Sequence, residues 1–397
     1  MKKRLLSLMA LALACAMALP AAVWAEEATP VSENGNAAAV PDLAPSARSA
    51  VLMDADSGTV IFERNSHDKL PPASITKIMT MLLIMEALED GKIKLTDMVR
   101  TSEYAASMGG SQIFLEPGEE MSVEDMLKGI ALASGNDASV AMAEKLAGTE
   151  DNFVAMMNTR AAELGMKDTR FTNANGLPTE NQYTSAHDIA IMSRELLKYN
   201  DVIKYTGLYQ DYLRKTSDKP FWLVNTNKLV RFYSGADGLK TGYTSEAKYC
   251  LSATAKRDGL RVIAVVMGEP TTKQRNTEVS AMFDYTFSQY MNYPIVQQGD
   301  ELGSLHIEKG MESRLKLNAE RPYSVLLRKG GSVEHIRHEL VMEGELKAPV
   351  KKGQPIGKLI VYQGDEVLKE YELLAPESVD KATWWRLLKR SAAGLFQ

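Results

Sequence analysis

Pro71-Pro72-Ala73-Ser74-Ile75-Thr76-Lys77, continued by Ile78-Met79-Thr80-Met81-Leu82-Leu83-Ile84-Met85, is the run from which the fold can be read. Two prolines fix an entry turn and Gly91 offers a stop, so the sequence predicts a helix from Ala73 to about Asp90. Apolar residues point to nearly every side of it, which places it inside a domain rather than on a surface. Its first turn nevertheless carries a hydroxyl at Ser74 and an amine at Lys77, three residues apart on one face. Burial at the mouth of an apolar helix disfavours the ammonium and makes the neutral amine accessible. A neutral amine beside a serine hydroxyl is a nucleophile with its base. The spacing does not decide alone, because Ser-x-x-Lys recurs at Ser66/Lys69, Ser245/Lys248, Ser313/Lys316 and Ser378/Lys381. Ser74 could also satisfy N–H groups at the helix start while Lys77 snorkels outward.

On the N-terminal side of this run, Ala50–Asp54 and Thr59–Glu63 are β-rich and joined through Asp56-Ser57-Gly58, which predicts a hairpin. On its C-terminal side the pattern is helical. Ser122 with Asp125 resembles a capping box opening a helix to Leu132, broken at Ala133-Ser134-Gly135-Asn136 and resumed over Asp137–Leu146. Phe153–Leu164 and a helix capped by Ser185 and Asp188 follow. Strand character returns over Gly238–Thr244, Tyr249–Lys256 and Leu260–Met267, the last two linked by the turn pair Asp258-Gly259. Thr277–Tyr290 reads as a closing helix. A hairpin first, strands last and helices between predict an α+β domain over 46–294: one antiparallel sheet assembled from both ends and covered by helices.

From residue 295 to 376, short alternating runs punctuated by Gly and Pro predict a second, small all-β domain. His335 and His338 in that region, three apart on a strand, face opposite sides, so no metal or other cofactor is expected. The ends differ again. Lys2-Lys3-Arg4, an apolar run over Leu5–Leu19 and Val23-Trp24-Ala25 read as a signal peptide over 1–25, with a flexible leader to residue 45. Its removal would leave Cys250 without an internal disulfide partner. At the other end, 377–397 predicts an amphipathic helix with Trp384, Trp385, Leu388, Leu395 and Phe396 opposed to Arg386, Lys389 and Arg390. That composition suits a membrane surface; docking on the β domain is the alternative. The expectation is an exported protein at the outer face of the cytoplasmic membrane or in the periplasm, in peripheral association with the membrane.

Composition is that of a folded soluble chain, 45% hydrophobic and 24% charged, and a formal net charge of -5 argues against nucleic acid as a partner. Two further motifs sharpen the function. Ser134-Gly135-Asn136 puts a hydroxyl and an amide at a break in helical pattern. Lys240-Thr241-Gly242 lies on a strand, where Lys240 offers charge to an anion and Gly242 would let a substrate backbone approach the edge.

Ser-x-x-Lys, Ser-x-Asn and Lys-Thr-Gly in this order resemble the motif set of the penicillin-recognising serine acyl enzymes. The resemblance runs from about Ala50 to Met291 and is closest to the D-alanyl-D-alanine carboxypeptidases among the low-molecular-mass penicillin-binding proteins. It implies a β-lactamase/transpeptidase-like fold, peptidoglycan stem peptides as substrate and β-lactams as covalent inhibitors. By that likeness Ser74 is the nucleophile, Lys77 its base, and Ser134 the relay to the leaving amine. Asn136 would hold the substrate amide, and Lys240, Thr241 and Arg275 the terminal carboxylate. The backbone N–H groups of Ser74 and Tyr243 would hold the oxyanion. Tyr243 stands where some relatives have histidine, and Asn225-Thr226-Asn227 where some have Asn-Arg-Asn. The alternatives are an endopeptidase cutting cross-links with the same residues, and a non-catalytic wall-binding module. A β-lactamase is disfavoured by Gly135 and by the absence of a Glu-x-x-Leu-Asn run after Ser134.

Overall fold

The computed structural model describes residues 40–342, 344 and 346–386. The expected signal peptide, most of the expected leader and the C-terminal helix beyond Arg386 lie outside the described residues.

Strands β1 (Ser49–Asp54) and β2 (Val60–Arg64) form the expected hairpin. The buried helix differs at its start: Ala73–Thr76 is a 3-10 turn with Ala73 at φ +46°, and α1 proper runs Lys77–Glu89. Ten of its 13 residues are buried, Lys77 among them. A small hairpin, β3 (Met98–Arg100) with β4 (Glu120–Ser122), encloses the short α2 (Glu103–Ala106). Helix α3 (Val123–Ala133) is capped by Ser122, whose Oγ accepts the Asp125 N–H. Helices α4 (Asn136–Ala147), α5 (Glu150–Glu163) and α6 (Ala186–Leu196) follow, the last capped as expected by Ser185. After the one-turn α7 (Ile203–Thr206), strands β5 (Gln210–Leu213) and β6 (Phe221–Val224) make a surface hairpin, and α8 (Leu229–Phe232) leads into the main sheet.

That sheet has strand order β2-β1-β9-β8-β7, with β7 (Ala236–Thr244), β8 (Lys248–Arg257) and β9 (Leu260–Glu269) joining the opening hairpin. Ser49 pairs with Met267 and Asp54 with Val262, so the two ends of the domain meet along β1 and β9 as the sequence predicts. Successive side chains of a strand point to opposite faces. The long buried runs of β8 and β9 therefore report a sheet covered on both sides. Val51, Ile263, Val265 and Met267 join one core with α1 and α6, while α9 (Thr272–Gln289) packs on β8 and β9. Asp258 and Gly259 both take positive φ, as a two-residue hairpin turn requires. Helix α9 begins five residues before the expected Thr277, because the Thr271 hydroxyl accepts the Gln274 N–H and caps a polar first turn with no apolar signature. That extension places Arg275 inside the helix.

The second domain is all β. Strand β10 (Tyr290–Val296) follows α9 directly and pairs with β13 (Tyr323–Arg328). β11 (Glu301–Glu308) lies between β12 (Arg314–Asn318) and β15 (Leu346–Lys347), and β16 (Pro355–Gln363) between β14 (Ile336–Met342) and β17 (Glu366–Leu374). Their inward residues, Ile307, Leu315, Leu317, Ile356, Leu359 and Val361 among them, close a core of their own. β10 and β11 are mostly intermediate or exposed, with little regular alternation.

Candidate active site

The 3-10 turn presents Ser74 half-buried, and one helical step later Lys77 is fully buried. The Lys77 Nζ lies 3.1 Å from Ser74 Oγ, 2.6 Å from Asn136 Oδ1 and 2.5 Å from the Asn175 carbonyl. A neutral amine has two N–H bonds and one lone pair. The Asn136 and Asn175 oxygens can only accept, so they take the two hydrogens and turn the lone pair toward the Ser74 hydroxyl. Burial drives the Lys77 pKa well below its ordinary value, the charge of Lys240 pushes it further, and Asp137 opposes both.

Ser134 caps α3 in the left-handed region at φ +64°, which turns the chain sharply into α4. Its Oγ is buried with no hydrogen-bond partner among the described residues. An orphan hydroxyl of this kind waits for a partner that the folded chain does not supply. Two residues on, Asn136 gives its Nδ2 to the Gly109 carbonyl at 2.7 Å, leaving one amide N–H for a ligand. Asp137, buried at the start of α4, accepts the Ile113 and Leu115 N–H groups and ties down the 109–115 loop.

Edge strand β7 forms the opposite wall. Gly242, where the sequence predicts the approach of a substrate backbone, also lies close to the chain's own turn. A Cβ there would lie 3.1 Å from the Pro72 carbonyl and 3.2 Å from the Ala73 Cβ, so a side chain at this position would crowd the turn that carries Ser74. Gly176, at φ +87°, meets the same turn from another side, where a Cβ would fall 1.9 Å from the Ala73 oxygen. Lys240 is buried, donates to the Thr241 carbonyl at 2.9 Å, and has its pKa lowered to about 7 by burial and then by Arg275. Arg275, itself buried, donates to Asn276 Oδ1 and brings its charge to Lys240 from α9. Thr241 Oγ1 donates to Thr226 Oγ1 at 2.7 Å, while Asn225 and Asn227 brace the Thr226 loop against the Thr206, Leu208 and Gly238 carbonyls. Tyr243 stays on the rim, its side chain exposed and its ring 4.5 Å from that of Tyr249.

All three motifs thus converge on one cleft. Sequence reasoning missed the Asn175 carbonyl, which no side-chain pattern can reveal, and Thr226 as the neighbour of Thr241. It also missed Glu269 at the end of β9, a fully buried carboxyl that burial and Glu278 push up to about 8.

A family model described as D-alanyl-D-alanine carboxypeptidase matches residues 34–271, and one described as penicillin-binding protein 5, C-terminal domain, matches residues 290–381. The chain belongs to the D-alanyl-D-alanine carboxypeptidase family of serine peptidases. Among its relatives, D-alanyl-D-alanine carboxypeptidase DacF of Bacillus subtilis (strain 168) is 53% identical over 350 residues, covering 88% of this chain and 90% of that one. Penicillin-binding protein 5 from Haemophilus influenzae superposes with a TM-score of 0.67 at 32% identity, covering 85% of this chain and 98% of that one. Penicillin-binding protein D2 from Listeria monocytogenes, in its ampicillin-bound form, aligns with a TM-score of 0.56 at 29% identity over 62% of this chain and 100% of that one.

Proposed function

We propose that the chain removes the terminal D-alanine from peptidoglycan stem peptides ending in D-Ala-D-Ala. The observation that carries this reading is the buried Lys77 amine, held by two fixed acceptors with Ser74 Oγ as its third neighbour. Ser74 Oγ attacks the carbonyl between the two D-alanines and passes its proton to Lys77 Nζ. The oxyanion forms between the backbone N–H groups of Ser74 and Tyr243. As the C–N bond breaks, Ser134 Oγ relays a proton to the leaving amine, and water then cleaves the acyl-serine ester. Lys240, Thr241 and Arg275 receive the terminal carboxylate, whose charge favours the protonated form of Lys240. A β-lactam would acylate the same serine. Of the glutamates after Ser134, Glu144, Glu150 and Glu163 accept hydrogen bonds from Ser102, from Tyr104 and Ala174, and from Arg160; Glu180 is exposed on the 176–182 loop.

Mass spectrometry of the chain with Nα-acetyl-Lys-D-Ala-D-Ala tests this reading: one D-alanine is released per peptide. Ser74→Ala abolishes both release and covalent penicillin labelling, and labelling that survived would mean another nucleophile. An endopeptidase would instead prefer a cross-linked dimer.

The placement belongs to the same proposal: export through the N-terminal signal and peripheral attachment at the outer face of the cytoplasmic membrane. Trp384 and Trp385, where the described chain ends, are both exposed, in keeping with a helix that inserts rather than docks. Deleting residues 383–397 should move the mature protein from the membrane to the soluble fraction with peptide activity kept. Aggregation of the truncated chain would mean that the tail docks on the protein itself.

A further inference from the structure

The cleft continues past Ser74 on the side away from Lys240. A cavity of about 460 Å³ opens there between the Pro71–Ala73 turn, the 176–182 loop and the end of β7 at Thr244. Its place along the sheet edge gives it a role. If the substrate carboxylate sits at Lys240 and Thr241, and the attacked carbonyl at Ser74, the rest of the peptide runs toward Thr244, antiparallel to the free edge of β7. An extended peptide advances about 3.4 Å per residue. The residue preceding the two D-alanines is therefore carried beyond Ser74, to the stretch of β7 where this cavity opens.

The charge of the lining is one-sided. Glu180 from the loop and Glu246 from the β7–β8 turn are its charged residues, both exposed, and neither makes an ion pair among the described residues. The remaining lining is proline, small or neutral polar, with no cation to neutralise them. The loop carrying Glu180 is also firmly held. Gln182 Oε1 accepts the Thr172 and Asn173 N–H groups and its Nε2 donates to Asn173 and Leu177, so the carboxylate stands on a braced support. Asn175, immediately before this loop, supplies its carbonyl to Lys77, which ties the cavity wall to the base.

We propose that this cavity is the subsite for the residue preceding the two D-alanines, and that Glu180 and Glu246 select a side chain ending in an ammonium group. The proposal rests on the D-Ala-D-Ala cleavage reading and adds which stem peptide that reaction prefers. Carboxylates this exposed give a modest preference, on the order of five- to tenfold in kcat/KM, carried mostly by KM and shrinking with added salt.

The experiment compares Nα-acetyl-Lys-D-Ala-D-Ala with its Nε-acetylated counterpart, using the full-length enzyme at low and high salt. The free-amine peptide should be cleaved with the higher kcat/KM. The Glu180→Gln/Glu246→Gln double variant, and to a lesser degree Glu246→Gln alone, should bring it down to the level of the neutral peptide, with thermal unfolding confirming the fold. Equal kcat/KM for the two peptides in the unmodified enzyme overturns the subsite while leaving cleavage intact. A preference that persists in a folded double variant also overturns it, because the ammonium is then read elsewhere. Failure to cleave either peptide instead strikes the carboxypeptidase reading itself.

Discussion

Lys77 and Lys240 are both buried and both hold their protons weakly, yet they face each other across the cleft with opposite duties. Around Lys77 three oxygens stand within hydrogen-bond reach, so the neutral amine is already oriented before a substrate arrives. Around Lys240 there is one peptide carbonyl and a second cation, Arg275. The first environment stores a lone pair and the second stores an unmet demand for negative charge. Burial alone lowers the pKa of both, and the neighbours decide what the lowered pKa is for.

The largest effect expected from breaking this contrast is at Lys77. Lys77→Met should lower kcat/KM on the order of 10³-fold, and by the same factor for a carboxylate-ended peptide and for its C-terminal amide, since proton transfer is common to both. Unequal losses would show that Lys77 also reads the substrate's end.

Lys240→Ala should cost on the order of 10²-fold for the carboxylate-ended peptide and little for the amide. Its charge also predicts a pH signature. With a pKa of about 7 in the free enzyme, Lys240 loses its proton above neutrality, so KM for the carboxylate peptide should climb there while KM for the amide stays level. Parallel KM profiles for the two peptides would assign that carboxylate to another group.

How much of this was legible beforehand depends on the kind of interaction. The hairpin, the three β-strands after Gly238 and the capped helices at Ser122 and Ser185 each carry a local signature: alternation, a turn pair, or a hydroxyl three residues before an acid. Ser74, Lys77, Ser134 and Lys240 were legible as motifs, because side chains that do chemistry must be of particular types. The Asn175 carbonyl was not, since any residue could supply it, and the early start of α9 was hidden by a polar first turn. Gly242 was visible as a required glycine but its partner was not, because Pro72 lies 170 positions away in the chain.

The smallest expected effect concerns stability. The folded pKa of Lys240 is depressed below its unfolded value near 10.5, so the folded chain carries fewer protons between about pH 7 and pH 10.5. Stability therefore gains as pH rises through that window, and below it the full cost of a buried charge is felt. Lys240→Met should raise Tm by a few degrees at pH 7 and by less at pH 9. Lys77→Met should raise it less, because it strands the Asn136 and Asn175 oxygens. Equal gains from the two substitutions would remove the distinction drawn between the two lysines.

The contact of Gly242 with the Pro72–Ala73 turn acts as a spacer gauge for the cleft. The distance between the nucleophile's turn and the substrate-bearing edge is set where the Gly242 main chain closes on the Pro72 carbonyl and the Ala73 and Ile75 side chains, with Gly176 bracing the turn from another side. Side-chain drift elsewhere around such a gap can change its charge or its grip but has little leverage on its width. A lineage under antibiotic pressure could retune what enters this site residue by residue. Prising it open would demand a displaced backbone, which would also move the serine from its base.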